Sequence, residues 1–375
     1  MRIAYFTESL PPLIDGVTRT LTQLAMTLEQ EKVEFRFFAP VRPDTTFPWR
    51  HRVHTVGSIT FPFYRYYRVG LPYFQGVETA LDTFNPDLVH VTSPTPLGIY
   101  GMKYARKCRL GVVSSYHTHF VSYMDYYGFR STRRWGWKFL QWFHNQGFKT
   151  FVPSRSAAAE VTQHGFKHVE LWPRGIDIEV FSPQFRSDLL RQSVVRTDEP
   201  ILLFVGRLVK EKDIDDLIEA CRILQEMGNR FRMVLVGDGP MRQEISLRLP
   251  QAHLLGFLSG RELAEWYASA DLFLFPSTTE TFGNVILEAF ASGLPAIGVA
   301  KGGVADLITP GVNGILAPPH SPPELAAKIQ VLLNDVSYRT MLAERARQTA
   351  TQYSWREINL KLVQNYQQVL DEPRN

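Results

Sequence analysis

Short apolar, β-rich runs alternate with amphipathic ones along the first half of the chain, at residues 3–6, 33–39, 53–56, 88–91, 112–115, 151–153 and 169–172. Short strands that alternate with helical segments predict a doubly wound parallel sheet. Trp172-Pro173-Arg174-Gly175-Ile176-Asp177 closes this half, and 181–200, with Pro183 and Pro200, reads as a crossing into a second domain. The pattern then restarts, with strands at 201–205, 233–236, 253–256, 272–275 and 296–299. Helices open near Asp213, Pro240, Gly260, Gly283 and Val304. From Ser321 onward the chain is helical, and Ser354-Trp355-Arg356-Glu357 reads as the capped start of a last helix.

Open parallel sheets bind ligands at the carboxyl ends of their strands. The stretch 276–295 follows the apolar strand 272–275 and opens into an Ala- and Leu-rich helix closed by Gly293 and Pro295. Glu280 is expected at the helix entrance and Glu288 eight residues later, so their backbones would stand roughly 12 Å apart along the axis. That is comparable to a sugar diphosphate. Between them the N–H groups of Phe282, Gly283, Asn284 and Val285 would lack helical partners and form an anion site, which Gly283 lets a ligand approach.

A carboxylate about 4 Å from a phosphate would be repelled by several kcal/mol, so cations are required nearby. Arg207 and Lys212, after the strand 201–205, lie beside a helix N-terminus, where a cation is unfavourable unless an anion sits there. The simpler alternatives are that these two make surface ion pairs, that Glu280 is a helix-terminal charge and that Glu288 lies at the surface.

The turn after the first strand carries Pro11, Pro12, Asp15 and Gly16 before a helix over about 17–29, without the G-x-G-x-x-G of a dinucleotide fold, which argues against a dehydrogenase. Gly16 would admit a phosphate or a sugar, or is a plain turn glycine. Ser114-Ser115-Tyr116-His117-Thr118-His119 follows another strand. Its two histidines at i and i+2 have no third ligand placed by spacing, so no metal site is expected. Gly237-Asp238-Gly239-Pro240 reads as a tight turn.

The length, 375 residues, suits two domains, and 45% hydrophobic with 21% charged residues is the composition of a globular protein. No apolar run approaches the ~20 residues of a membrane span, and no signal peptide is evident. With only Cys108 and Cys221, a reducing cytoplasm is the expected compartment. Residues 1–175 hold 21 Lys plus Arg against 12 Asp plus Glu, a balance of +9, leaving −5 for the remainder of a chain whose net charge is +4. Two aromatic and basic stretches, 61–68 and 123–149, sharpen that asymmetry; the second holds Arg130, Arg133, Arg134, Trp135, Trp137, Lys138 and Trp142. No nucleic-acid motif accompanies them, so the anionic partner they suggest is not a nucleic acid. A solvated basic face is the competing account.

Taken together, Pro11 to Gly16, Tyr116-His117-Thr118, Gly206-Arg207 with Glu211-Lys212, Gly237-Asp238-Gly239-Pro240 and Glu280-x7-Glu288 give the chain, over nearly its whole length, a resemblance to the retaining, nucleotide-sugar-dependent glycosyltransferases of the GT-B fold. Ser115-Tyr116-His117-Thr118-His119 and Thr281-Phe282-Gly283-Asn284 are most similar to GDP-mannose-dependent α-mannosyltransferases and to sulfoquinovosyl-diacylglycerol synthases. The resemblance implies an α/β chain with two Rossmann-like doubly wound domains facing across a cleft. Residues 1–177 would bind the acceptor and 178–354 the nucleotide sugar, with the helix 355–375 returning to the N-terminal domain.

The same resemblance implies that Arg207 and Lys212 bind the diphosphate and that Glu280, with the backbone of Phe282, Gly283, Asn284 and Val285, holds the donor sugar. Glu288 would take the ribose, Gly16 would approach the phosphate or sugar, and His117 would contact the transferred sugar near its anomeric centre. His117, Glu280, Arg207 and Lys212 are thus the expected catalytic residues. A hexosyl group from GDP-mannose or a UDP-hexose such as UDP-sulfoquinovose would pass to a hydroxyl with α configuration. No metal and no cofactor are expected, the nucleotide sugar being a substrate. The expected acceptor is a membrane glycerolipid, reached from the cytoplasm by peripheral docking on an anionic surface. A sugar-nucleotide epimerase of the same fold, or a relative without catalysis, are the rival readings; the retention of Glu280, Glu288, Arg207, Lys212 and His117 argues against loss of catalysis.

Overall fold

The computed structural model of the chain describes residues 1–13, 15–61, 64–73, 76–117, 133–195 and 199–372, with the side chains of Phe61 and of 64–67 left aside. His119, Tyr123 and Arg130 of the expected stretches lie outside the described residues. Two compact units emerge: one takes the described residues up to Arg174 together with Trp355 onward, and the other takes Gly175–Ser354.

The first unit carries β1 (Arg2–Phe6), β2 (Glu34–Ala39), β3 (Val53–Thr55), β4 (Gly57–Phe61), β5 (Tyr64–Leu71), β6 (Leu88–Val91), β7 (Gly111–Ser115), β8 (Lys149–Val152) and β9 (Val169–Leu171). Seven of these form a parallel sheet in the order β3-β2-β1-β6-β7-β8-β9. β1 reads as a continuous apolar run because both its faces are covered. Side chains alternate across a strand. Ile3 and Tyr5 therefore join Leu21, Leu24 and Leu28 of the helix Gly16–Gln30 and Leu362 and Tyr366 of the helix Trp355–Asp371. Ala4 and Phe6 join Leu97 and Ala105 of the helix Pro96–Lys107 on the other face. The antiparallel hairpin β4–β5 was not foreseen, since its residues read as an aromatic and basic patch.

The second unit carries β10 (Ile201–Val205), β11 (Arg232–Val236), β12 (His253–Gly256), β13 (Leu272–Phe275), β14 (Ala296–Val299) and β15 (Gly314–Ala317). All are parallel, in the order β12-β11-β10-β13-β14-β15, over one apolar core. In both sheets the chain winds outward one way from the first strand and then returns to its other side, so the order reverses between β1 and β6 and between β10 and β13. Those reversals are the topological switch points where such sheets open a crevice at their carboxyl edge. No helix among the described residues is long and apolar enough to cross a membrane.

Candidate active site

In the second unit the two loops at the switch point are those leaving β10 and β13, and they are stitched together. Lys212 Nζ forms a largely buried ion pair with the Glu280 carboxylate. The Thr279 hydroxyl donates to the Glu211 carbonyl at 2.8 Å. Thr278 donates its N–H and its hydroxyl to Asp213 Oδ2, both at 2.8 Å. Arg207, whose side chain is half exposed, donates to the buried Glu211 carboxylate at 3.3 Å. From the next strand, Gly237 holds φ at 132°, and a Cβ there would fall 1.9 Å from the Gly206 carbonyl oxygen, so the turn after β11 presses directly on the Arg207 loop. Leu208 N–H donates to the Asp238 carbonyl at 2.9 Å.

The helix after β13 opens at Gly283, as the pattern suggested, but Glu280 does not stand at its entrance. It spans Asn284–Ala291 with Gly283 as its N-cap at φ 98°, a left-handed conformation that no helical residue adopts. Glu280 therefore precedes the helix by four residues, and its separation from Glu288 is not a helical rise. Phe282 and Gly283 lie outside the helix as well. Its first N–H donors are those of Asn284 and Val285, while the N–H of Ile286 already bonds the Gly283 carbonyl at 2.9 Å. The Phe282 side chain is buried edge-on to Tyr353, and its backbone packs against Gly303, where a Cβ would fall 2.4 Å from the Phe282 nitrogen. Glu280 is anchored from a third side, its carbonyl accepting from Gly303 N–H at 2.9 Å. Glu288 is buried, not at the surface, and takes a hydrogen bond from the Tyr267 hydroxyl at 2.9 Å.

Residue spacing gave no sign of Glu211, Asp213, Thr278 and Thr279 as a group, because the pairs lie more than sixty residues apart in the chain. Asp213 has a second neighbour, His320, whose Nδ1 lies 3.8 Å from Asp213 Oδ1 and 3.4 Å from Asp216 Oδ2. These three side chains are close enough to hold a cation. Burial first, and then the Asp213 charge, raise the Asp216 carboxyl above its usual range, and His320 offsets both.

In the first unit Gly16 is the exposed first residue of its helix, which Asp15 caps by accepting from Thr18 N–H at 2.7 Å. A buried acid that spacing did not single out stands at the switch point, just past β1. Glu8 Oε1 accepts from the hydroxyl of Thr95, the N-cap of the helix Pro96–Lys107. An acid directly after an apolar strand was the available signal. Burial pushes the Glu8 carboxyl up to about 7, with the Thr95 and Ser93 hydroxyls pulling the other way.

His117 follows β7. Its Nδ1 lies 2.7 Å from Arg174 Nη2, and its ring meets the edge of Trp172 at 5.6 Å. Burial first, then the Arg174 charge, hold the imidazole well below its ordinary pKa and keep it neutral.

Comparison with known proteins agrees with the two-unit division. Residues 14–180 match the family described as Glycosyltransferase Family 4, and 185–349 match Glycosyl transferases group 1. A GDP-mannose-dependent alpha-mannosyltransferase of Mycobacterium tuberculosis (strain CDC 1551 / Oshkosh) is 33% identical over 98% of this chain and 97% of its own length. Sulfoquinovosyl transferase SQD2 of Arabidopsis thaliana is 31% identical over 82% of this chain and 62% of its own. Among solved structures, Anabaena HepE in complex with UDP-glucose superposes with a TM-score of 0.77 at 21% identity, covering 98% of this chain and all of the other. The fold, two Rossmann-like domains with parallel sheets, is that of the GT-B glycosyltransferases.

Proposed function

This chain belongs to the glycosyltransferases, with a family 4 N-terminal half and a group 1 C-terminal half, and on that premise we propose that it transfers a mannosyl group from GDP-mannose to a lipid hydroxyl with α configuration. The observation that carries this reading is the Lys212–Glu280 pair at the second switch point, a cation suited to a phosphate beside a carboxylate suited to sugar hydroxyls within one stitched loop pair. Near-complete coverage of the M. tuberculosis mannosyltransferase favours mannose. A UDP-hexose is the second reading, supported by the sulfoquinovosyl transferase.

In this scheme Arg207 and Lys212 take up charge on the departing diphosphate, so no metal ion is required. Glu280, with the backbone from Phe282 to Val285, orients the hexose, and Glu288 takes the ribose; as the family resemblance implies, His117 contacts the transferred sugar and Gly16 approaches the phosphate or sugar. No carboxylate is assigned as a covalent nucleophile. The departing phosphate oxygen accepts the acceptor hydroxyl's proton on the face it leaves, which retains configuration.

The membrane acceptor is supported by the helix Arg133–His144. Trp137, Leu140 and Phe143 turn inward, whereas Trp135, 71% exposed, lies on an outward face with Phe139 and Trp142. Arg133, Arg134 and Lys138 accompany these rings and line a pocket of about 670 Å³ with Gln141 and His164. Aromatic rings favour the headgroup level, and each nearby cation contributes about 1 kcal/mol against an anionic leaflet. From the cytoplasm, such a face would bring the enzyme to its acceptor without a spanning helix.

The deciding experiment supplies a panel of sugar nucleotides with and without lipid acceptors. Transfer of mannose from GDP-mannose, undiminished by a chelator, is expected, and the product's anomeric NMR signals should be those of the α linkage. Interconversion of free sugar nucleotides would instead mark an epimerase. Sedimentation with vesicles should rise with anionic lipid and fall with salt and in Arg133→Glu/Arg134→Glu. Full activity on a water-soluble acceptor, without vesicle binding, would remove the lipid from the scheme.

A further inference from the structure

Arg174 is buried in the first unit, and among the described residues no carboxylate pairs with it. Buried cations ordinarily have such a partner. Its groups are instead spent on neutral neighbours. Nη1 donates to the Trp172 carbonyl at 2.7 Å and more weakly to that of Pro173 at 3.4 Å. The guanidinium carbon lies 5.2 Å from the centre of the Trp172 ring. That ring is held in turn, its Nε1 donating to Asn359 Oδ1 at 3.2 Å, and Asn359 Nδ2 donating to the Thr27 hydroxyl at 3.2 Å. The platform under Arg174 is thus fixed by the helices Trp355–Asp371 and Gly16–Gln30, far away in sequence.

The remaining arm, Nη2, reaches His117 Nδ1 at 2.7 Å. A guanidinium has only donors to offer, so Nδ1 must be accepting. An imidazolium would set N–H against N–H. Among the described residues, the other titratable groups acting on His117 are His90 and His144, both driven by burial to about 3 and therefore neutral. Nothing in this surrounding set favours a charged His117 ring.

We propose that Arg174 is a positioning residue for sugar transfer, locking His117 as the neutral tautomer with its proton on Nε2, so that the imidazole offers one hydrogen-bond donor and no base. This rests on the assignment of His117 to the transferred sugar and deepens it. With the Nδ1 lone pair taken and Nε2 protonated, His117 can donate to a sugar hydroxyl but cannot accept the acceptor's proton. That proton must then go to the departing phosphate oxygen. The tautomer of a histidine is set by the bond its other nitrogen makes, and here that bond comes from a cation.

The test begins with the whole protein without substrate. Long-range ¹⁵N–¹H spectra of histidine-labelled protein, with His117 identified by the signal lost in His117→Gln, should show one neutral form bearing hydrogen on Nε2, persisting to pH well below the ordinary histidine range. A proton on Nδ1, or a cationic ring at neutral pH, would overturn the proposal without any Arg174 variant. Arg174→Met should then show mixed tautomers, lose about tenfold or more in kcat with little change in donor KM, and move its acid limb to higher pH. Arg174→Lys should recover part of this. A folded Arg174→Met with the wild-type tautomer and pH profile would overturn the proposal. If the tautomer is locked but no sugar nucleotide is turned over, the lock stands and the sugar-transfer role fails.

Discussion

The Asp213 carboxylate accepts from both the N–H and the hydroxyl of Thr278, each at 2.8 Å, and so ties the loop after β10 to the loop after β13. Asp213 does this from a left-handed backbone, φ 51°, next to Lys212. Hydrogen bonds to a buried charge contribute about 1.5–3 kcal/mol, so Asp213→Ala should lower stability by that order and weaken nucleoside diphosphate binding several-fold. Asp213→Gly loses the same bonds but suits the backbone, and should be more stable than Asp213→Ala by about 1 kcal/mol. Urea unfolding compares the two, and equal stabilities would show that the backbone conformation contributes nothing.

Lys212 is paired with Glu280. A bare nucleoside diphosphate must therefore compete with that carboxylate for the ammonium. Glu280→Gln removes the competitor, so GDP should bind at least as tightly to this variant as to the wild type, while turnover of the sugar nucleotide falls. Lys212→Ala should weaken GDP by several-fold or more, since it removes a charge-assisted bond. Calorimetry on the two variants separates the roles: parallel losses of GDP affinity would mean that Glu280 supports the phosphate site and not the sugar.

How far this site could be read from the sequence depended on distance along the chain. Arg207, Lys212, Glu280 and Glu288 were visible because each follows an apolar strand or sits in an apolar helix, and strand ends are where doubly wound sheets bind. Their pairing was not visible. Lys212 meets Glu280 across 68 positions, and Arg174 meets His117 across 57. Local periodicity carries no information about such contacts. The helix opening near Gly283 was legible, but the place of Glu280 was not: the left-handed backbone of Gly283 keeps the four residues before Asn284 out of the helix. β15, Gly314-Ile315-Leu316-Ala317, was not read: it opens on a glycine directly after the turn residues Gly311-Val312-Asn313 and holds only two large apolar residues, Ile315 and Leu316.

Glu288 is buried with the Tyr267 hydroxyl 2.9 Å from its Oε2. Tyr267→Phe deletes this donor without changing the ring's packing, so a loss of about 1–3 kcal/mol in stability is expected. If Glu288 orients the ribose, the same change should weaken GDP but not its 2′,3′-dideoxy analogue, which has no hydroxyls to offer. Equal losses for both nucleotides would confine Glu288 to a structural role.

Glu8 adds a pH dependence whose sign is opposite to that of the buried histidines. His90 and His144 are held down to about 3, so their contribution to stability is present above the ordinary histidine range and is lost as pH falls. The Glu8 carboxyl is held up, from 4.5 to about 7. Between those values the folded chain keeps a proton that the unfolded chain has released, so stability from this group is fully present below 4.5 and is lost as pH rises through about 7. A shift of this size corresponds to about 3 kcal/mol. Glu8→Gln cannot titrate. Whatever constant offset the amide introduces beside Thr95, the difference in unfolding free energy between variant and wild type should move in the variant's favour by that amount from pH 4.5 to pH 8. Denaturant titrations at closely spaced pH values measure it directly, and because the histidines are common to both proteins their contribution cancels. A flat difference would mean that Glu8 is already ionised in the folded protein, with its charge stabilised at the β1 switch point by something other than the Thr95 hydroxyl.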